Sequence, residues 1–330
     1  MLDTARYHDN TCRTEPAGLI DLADRAPWAQ LDEASFAFRH RLAEHPLFTL
    51  ERLADLSAQV LDRPDISRTF RGADLKLPRA ELKRRMRNSI LGVENNGLWL
   101  SLHYLDEVDP AYEALFDELM ADIEDLAGVP VRRRMHWGSM SVFMNAPGLQ
   151  VPYHFDHETN FLMQIRGEKY VRLYPKGRAT LCEEEIEDFY RFNALAGRYR
   201  DELAEAGTLY TLTPGVGVHH PPLAPHLIRN GCEVSVSLAI YYVMSEMEYR
   251  ARVYQVNYCM RRMGLHPRPP GESPWVDAAK ERLIRALSMS HPRTHDEMLY
   301  SGIQRLMAPA RMARALGRRV LGALHHPASA

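Results

Sequence analysis

Gly148–Tyr174 reads GLQVPYHFDHETNFLMQIRGEKYVRLY, and the pair His154 and Asp156 inside it decides how the rest of the chain is understood. Imidazoles and a carboxylate are the donors that suit a divalent first-row metal. The two residues are two apart, so on an extended strand both side chains leave the same face and can meet one ion. Two imidazoles and one carboxylate make the facial ligand set of non-haem iron oxygenases, which leaves coordination positions open. The third ligand must come from a distant segment. His226 lies in a stretch punctuated by Gly and Pro that also reads as a strand.

Outward from this stretch the hydrophobic period is two from about 134 to 243. Short strands are expected at 138–145, 151–156, 159–165, 168–174, 208–212, 216–220, 226–230 and 233–243, with a helix near 183–205. Many short strands separated by turn residues predict a double-sheet barrel or jelly roll. The flanks read as helical. Leu50, Leu53, Leu56 and Val60 share a helix face that Pro64 terminates. Further helices are expected over 79–90 and 110–126, with Pro110 suited to a first turn. A short strand is expected around Leu98, Leu100 and Leu102. The expected organisation is an N-terminal arm and helical segment at 1–130, a mainly β core at 131–245, and a C-terminal helical segment at 246–330.

On strand 168–174, Lys169, Val171 and Leu173 share a face. A lysine on an apolar face is costly unless an anion meets it, so Lys169 marks a site for a buried acid. Asn160, Leu162 and Gln164 share a face of the preceding strand. The two amides either bind that acid or simply pack across strands. His157 points away from Asp156 and is expected at the surface or behind a ligand. His219 and His220 are weak ligand candidates, and His325 and His326 fall in the tail.

The spacing of Gly148 with His154 and Asp156, then Gly167, resembles the first cupin motif, with Asn160 at its usual Glu position. Gly215, Pro221, His226 and Asn230 resemble the second, with Leu223 at a usual Gly. The HxD form followed by Lys169 resembles the JmjC-type, cupin-like 2-oxoglutarate oxygenases, nearest the asparaginyl-hydroxylase branch. This resemblance covers about 134–243. It implies a double-stranded β-helix, iron(II) held by His154, Asp156 and His226, and 2-oxoglutarate held by Lys169, with Asn160 and Gln164 nearby. Val151 stands where that branch has a Thr, so the hydroxyl of Tyr153 or Ser237 is expected to substitute. The implied activity is hydroxylation of a C–H bond of a protein side chain, amino acid or small metabolite, with release of succinate and carbon dioxide. The alternatives are a catalytically silent cupin-like binding protein and a metal cupin that uses no 2-oxoglutarate.

The whole-chain numbers agree with an ordinary globular protein. Of 330 residues, 45% are hydrophobic and 25% charged, and the net charge is −2. That balance gives no basic excess for nucleic acid. No apolar run approaches the ~18 residues of a membrane span. The N-terminal residues show no apolar signal segment. Four scattered cysteines form no CxxC pair, which fits a cytoplasmic chain without disulfides. Residues 301–324 carry an amphipathic stripe, Met312, Leu316, Val320 and Leu324, beside Arg311, Arg314, Arg318 and Arg319. It is expected to pack on the barrel or on a second subunit, and the resemblance implies a homodimer through C-terminal helices.

Overall fold

The structure, a computed structural model, describes residues 18–63 and 77–309. Ten strands build two antiparallel sheets. They are β1 (Phe36–Arg39), β2 (Trp99–His103), β3 (Met135–Asn145), β4 (Gln150–His154), β5 (Thr159–Arg166), β6 (Lys169–Leu173), β7 (Thr208–Leu212), β8 (Val216–His220), β9 (His226–Asn230) and β10 (Ser235–Met244). The larger sheet has the order β1-β8-β5-β10-β3-β2, and the smaller β4-β9-β6-β7. From β3 onward the chain crosses repeatedly between the sheets, which is the winding of a double-stranded β-helix, or jelly roll.

Period-two alternation gives the larger sheet two distinct faces. Its outer face, with Met140, Val142, Met144, Phe161, Met163, Leu238 and Ile240, is mainly apolar. It packs in one core with Leu53, Leu56 and Val60 of α1 (Leu50–Asp62) and Leu119 and Ile123 of α4 (Pro110–Ala127). The chain between them contributes α2 (Arg79–Leu91) and the one-turn α3 (Leu105–Val108). Capping fixes where these helices begin. Thr49 accepts from the Arg52 amide at 3.2 Å, and Asp109 accepts from the Ala111 amide at 2.9 Å just before Pro110. The inner faces hold a smaller apolar group, Leu162, Val171, Leu173, Val218 and Ala239, interrupted by polar side chains.

Helices close the other side. The one-turn α5 (Val131–Arg134) leads into β3 and α6 (Glu183–Phe189) follows β6. After β10 come α7 (Ser245–Arg262), α8 (Pro274–Leu287) and α9 (His295–Leu306). Among the described residues no helix is long and apolar enough to cross a membrane.

Three sequence expectations need correction or bounding. The helix expected near 183–205 is only α6. Phe192 adopts a positive φ of 86°, which breaks the helix, and Gly197 lies flat against Phe155 and Tyr153 where a longer helix has no room. Strand β1 was not expected. It is a four-residue edge strand, too short for its alternation to stand out, and it pairs with β8 through Phe36↔His219. The expected stripe at 301–324 is described only to Pro309, so its four apolar positions, and His325 and His326, lie outside the described residues.

Candidate metal centre

His154 and His226 are opposite one another in the β4–β9 pairing, and their rings lie 4.2 Å apart. Strand β4 ends at His154, so Asp156 sits just past it, where its carbonyl accepts from the Leu223 amide at 2.9 Å. Leu223 holds a φ of 61°, the left-handed backbone its resemblance to a Gly position requires. This contact ties the approach to β9 to the loop bearing Asp156. The result is convergence. The donor atoms of His154, Asp156 and His226 all lie within 4.8 Å of one another, and His226 Nε2 is 3.6 Å from Asp156 Oδ2.

The second nitrogen of each imidazole is already committed. His154 Nδ1 is 2.8 Å from the Pro152 carbonyl, and His226 Nδ1 is 3.1 Å from the Ala224 carbonyl. A carbonyl only accepts, so both Nδ1 atoms carry hydrogen and both Nε2 lone pairs face the centre. That tautomer is the one a metal requires. Burial, then the neighbouring His154, lower the His226 pKa to about 4 against the opposing pull of Asp156, so the ring is neutral at pH 7. The Asp156 side chain is 36% exposed, which places the centre at the mouth of the barrel with access for solvent and oxygen.

Inward from the centre, the barrel interior carries unpaired polar groups. Lys169 is 2% exposed, and burial alone lowers its pKa to about 7. Its Nζ donates to Ser237 Oγ at 2.6 Å, Ser237 donates to Gln164 Oε1 at 2.7 Å, and the Gln164 amide donates to Ser235 Oγ at 3.0 Å. Among the described residues no carboxylate pairs with Lys169. Asn160 Oδ1, both amide atoms of Asn230 and both ring nitrogens of His220 are buried without a hydrogen-bond partner. Asn230 stands opposite Lys169, and His220 opposite Asn160. Orphaned buried polar atoms are expensive, and a cluster of them around a lone cation calls for a polar anionic guest.

The offset fits such a guest. Lys169 faces Asn230 and Leu173 faces His226, so four residues, or ~13 Å of strand, separate cation from metal ligand. The lysine stem and a five-carbon dicarboxylate chelated at the metal together span that distance. The donor set and the interior therefore fit iron(II) and 2-oxoglutarate.

Not every expected residue belongs to this cluster. Ser237 lies beside the lysine and accepts its hydrogen bond. Tyr153 does not: adjacent to His154, it takes the opposite face and donates to the Thr180 carbonyl at 3.0 Å, beside Tyr174 and Tyr199. Gln164 spends its amide on Ser235 and the Arg166 carbonyl, so it orients Ser237. His219 packs outward between Phe36 and Phe161, whereas His220 lies 4.7 Å from His226. Sequence reasoning placed Asn230 in the second motif but gave it no role beside Lys169, and missed the chain His103–Ser141–Tyr241, joined at 2.8 and 2.5 Å across the larger sheet. The signal was available in β3, where Ser139 and Ser141 alternate with Met140 and Val142.

Of the two places expected for His157, the surface is excluded. The residue is 1% exposed, and its Nδ1 meets the Tyr190 hydroxyl at 2.7 Å. With Glu248 and His295 it forms a second buried cluster of potential metal donors.

No protein-family model matches the chain, and no curated protein matches it. Similar solved structures include YcfD, a ribosomal oxygenase from Escherichia coli, at 16% identity and a TM-score of 0.32, over 69% of this chain and 47% of that one. A YcfD complex with cobalt and 2-oxoglutarate matches at 16% identity and 0.32, over 63% and 46%. A cupin superfamily protein from Desulfitobacterium hafniense matches at 14% identity and 0.21, over 33% and 69%. The chain thus spans about half the length of the YcfD chains it matches.

Proposed function

We propose that this protein is an iron(II)- and 2-oxoglutarate-dependent oxygenase that hydroxylates a C–H bond of a protein side chain, amino acid or small metabolite. One observation carries the reading: a preorganised His154–Asp156–His226 centre at the barrel mouth with an unpaired, buried Lys169 further in. The metal ligands alone fit any metal cupin. The lysine separates the readings, because a metal cupin without a dicarboxylate co-substrate has no need of a desolvated cation there.

In this reading His154, Asp156 and His226 hold the metal, their Nδ1 contacts fixing the rings. Lys169 and Ser237 bind the distal carboxylate of 2-oxoglutarate, Asn230 beside them offers it a hydrogen bond, and His220 and Asn160 lie nearer the metal end of the co-substrate. Iron(II) with 2-oxoglutarate would supply the means to use dioxygen as the oxidant, one oxygen atom going to the substrate and the other to succinate, with release of carbon dioxide. The apolar remainder of the interior, Leu162, Val171, Val218 and Ala239, excludes water from that reaction.

The test is anaerobic titration of the iron(II)-loaded protein with 2-oxoglutarate, followed through the weak visible charge-transfer band of the chelate. The band is expected in the native chain and absent in Asp156→Ala, which should keep its far-UV circular dichroism. Iron binding without the band would turn the reading to a metal cupin of other chemistry. Failure to bind iron would leave a binding protein.

A further inference from the structure

We propose that His157, Glu248 and His295 form a second metal site, separate from the barrel-mouth centre and suited to zinc. The three side chains come from the loop after β4, from α7 and from α9, and all are buried, at 1%, 2% and 5% exposure. Their donor atoms lie within 4.8 Å of one another. Glu248 Oε1 is 3.3 Å from His295 Nε2 and 3.6 Å from His157 Nε2. These separations are at or beyond the limit of a good hydrogen bond. They do match ligand-to-ligand edges in a tetrahedral zinc site, ~3.3 Å when each ligand stands ~2.05 Å from the ion.

The surroundings repeat the pattern seen at the first centre. His157 Nδ1 is engaged by the Tyr190 hydroxyl, and His295 Nδ1 lies 3.5 Å from Glu158 Oε1. The His157 imidazole is therefore oriented by an oxygen on its far nitrogen, the His295 imidazole has a carboxylate oxygen nearby, and each Nε2 is turned to Glu248. His157 Nε2 and Glu248 Oε2 are buried and have no hydrogen-bond partner. Trp137 stacks on His295 at 4.3 Å with planes 8° apart, which fixes that ring. Two imidazole nitrogens and one oxygen of Glu248 make three donors, which leaves the fourth position of a tetrahedral zinc to a water. Arg252 Nη2, 3.7 Å from Glu248 Oε2, is the competing partner, but it also binds Glu281 at 3.0 Å. Of the three ligands, His295 also lines a surface cavity, together with Tyr104, Trp137, Thr294 and Met298.

A filled site would be structural. It would clip α7 and α9 to the residue directly after Asp156, so metal binding there would stabilise the fold and steady the loop bearing that ligand.

The test uses the metal-stripped full chain carrying Asp156→Ala, which disables the barrel-mouth centre. Cobalt(II) should bind at about one equivalent, give the intense visible bands of four-coordinate cobalt, yield to zinc, and raise the melting temperature. Adding Glu248→Gln should remove uptake, bands and stabilisation together. Should that variant not fold, His295→Gln read the same way decides. A folded Asp156→Ala chain that takes up no cobalt or zinc would overturn the proposal and leave Glu248 as a buried ion-pair partner of the two imidazoles. Uptake that survives the loss of Glu248 or His295 would overturn it equally.

Discussion

Replacing Lys169 by Met should strengthen the empty protein while destroying co-substrate binding. The side chains are similar in length, so the barrel keeps its filling. In the empty barrel the ammonium has only Ser237 Oγ for company, and burial brings its pKa from 10.5 down to about 7. At 1.36 kcal/mol per pH unit that fall is worth about 5 kcal/mol. Met removes this cost but leaves Ser237 Oγ without its donor, a loss of about 1 kcal/mol. Some 3–4 kcal/mol of net stabilisation remains, which for a chain of this size is on the order of 5 °C in Tm. The pH window follows from the direction of the shift. Between about 7 and 10.5 the unfolded lysine holds its proton and the folded one releases it, so native stability rises with pH across that window. The advantage of Met is therefore full below pH 7 and shrinks toward pH 10. With 2-oxoglutarate the sign reverses. A buried carboxylate left without its cation costs about 3–5 kcal/mol, so affinity should fall roughly 10²- to 10⁴-fold. Thermal melts from pH 6 to 9, and calorimetric titration of 2-oxoglutarate into the manganese-loaded protein, read the two effects separately. A variant less stable than the native chain at pH 6, or one that binds 2-oxoglutarate unchanged, would refute the reasoning.

Ser237→Ala removes the hydroxyl between Lys169 and Gln164, so KM for 2-oxoglutarate should rise about tenfold while metal affinity stays constant; steady-state succinate release checks both. Gly167 has a φ of 71°, and a Cβ there would collide with the Val234 carbonyl oxygen. Gly167→Ala should therefore cost about 3 kcal/mol, visible as a lower urea midpoint, because strain and overpacking act together. Burial lowers the pKa of His40 to about 4, of His219 to about 3 and of His226 to about 4. Below pH 6.5 the unfolded state binds protons that these folded rings refuse, so stability of the metal-free protein should fall by several kcal/mol between pH 6.5 and 4. Circular dichroism during acid titration checks this, and a flat profile would contradict it.

The parts of this molecule that sequence made legible were those governed by parity along a single strand. Asn160, Leu162 and Gln164 share the inner face of β5, and Lys169, Val171 and Leu173 that of β6, as alternation demands. The jelly roll followed from the number and spacing of such strands. The same parity argues against Tyr153 as a co-substrate ligand, since it neighbours His154 and must face the other way. What parity does not supply is register. The pairing of His154 with His226, and the placing of Asn230 opposite Lys169, depend on how β4, β6 and β9 slide past one another. Parity is also silent on what covers a face. His157, expected at the surface or behind a ligand, is roofed by α7 and α9 and is among the most buried residues.

The division of labour between the two faces of the larger sheet explains why the centre can carry so much unpaired polarity. The outer face and the N-terminal helices form a continuous apolar core from Ile20 to Met244. Burial on that side supplies hydrophobic stabilisation that does not depend on the barrel interior. The interior is therefore free to hold Lys169 without a carboxylate, and polar atoms of Asn160, Asn230 and His220 without partners, at a cost the outer core offsets. Such a cost persists in a folded chain only where a guest recovers it, in keeping with the general rule that local inconsistencies gather at functional sites. The same separation predicts how variants will divide. Losing His154 or Asp156 should leave folding intact because neither belongs to the outer core. Truncating Leu56 or Ile123 to Ala, each fully buried there, should cost about 2–5 kcal/mol with the metal ligands untouched. Denaturant unfolding of Ile123→Ala beside His154→Ala tests this directly. Equal destabilisation by the two would show that the barrel mouth and the outer core are one cooperative structure.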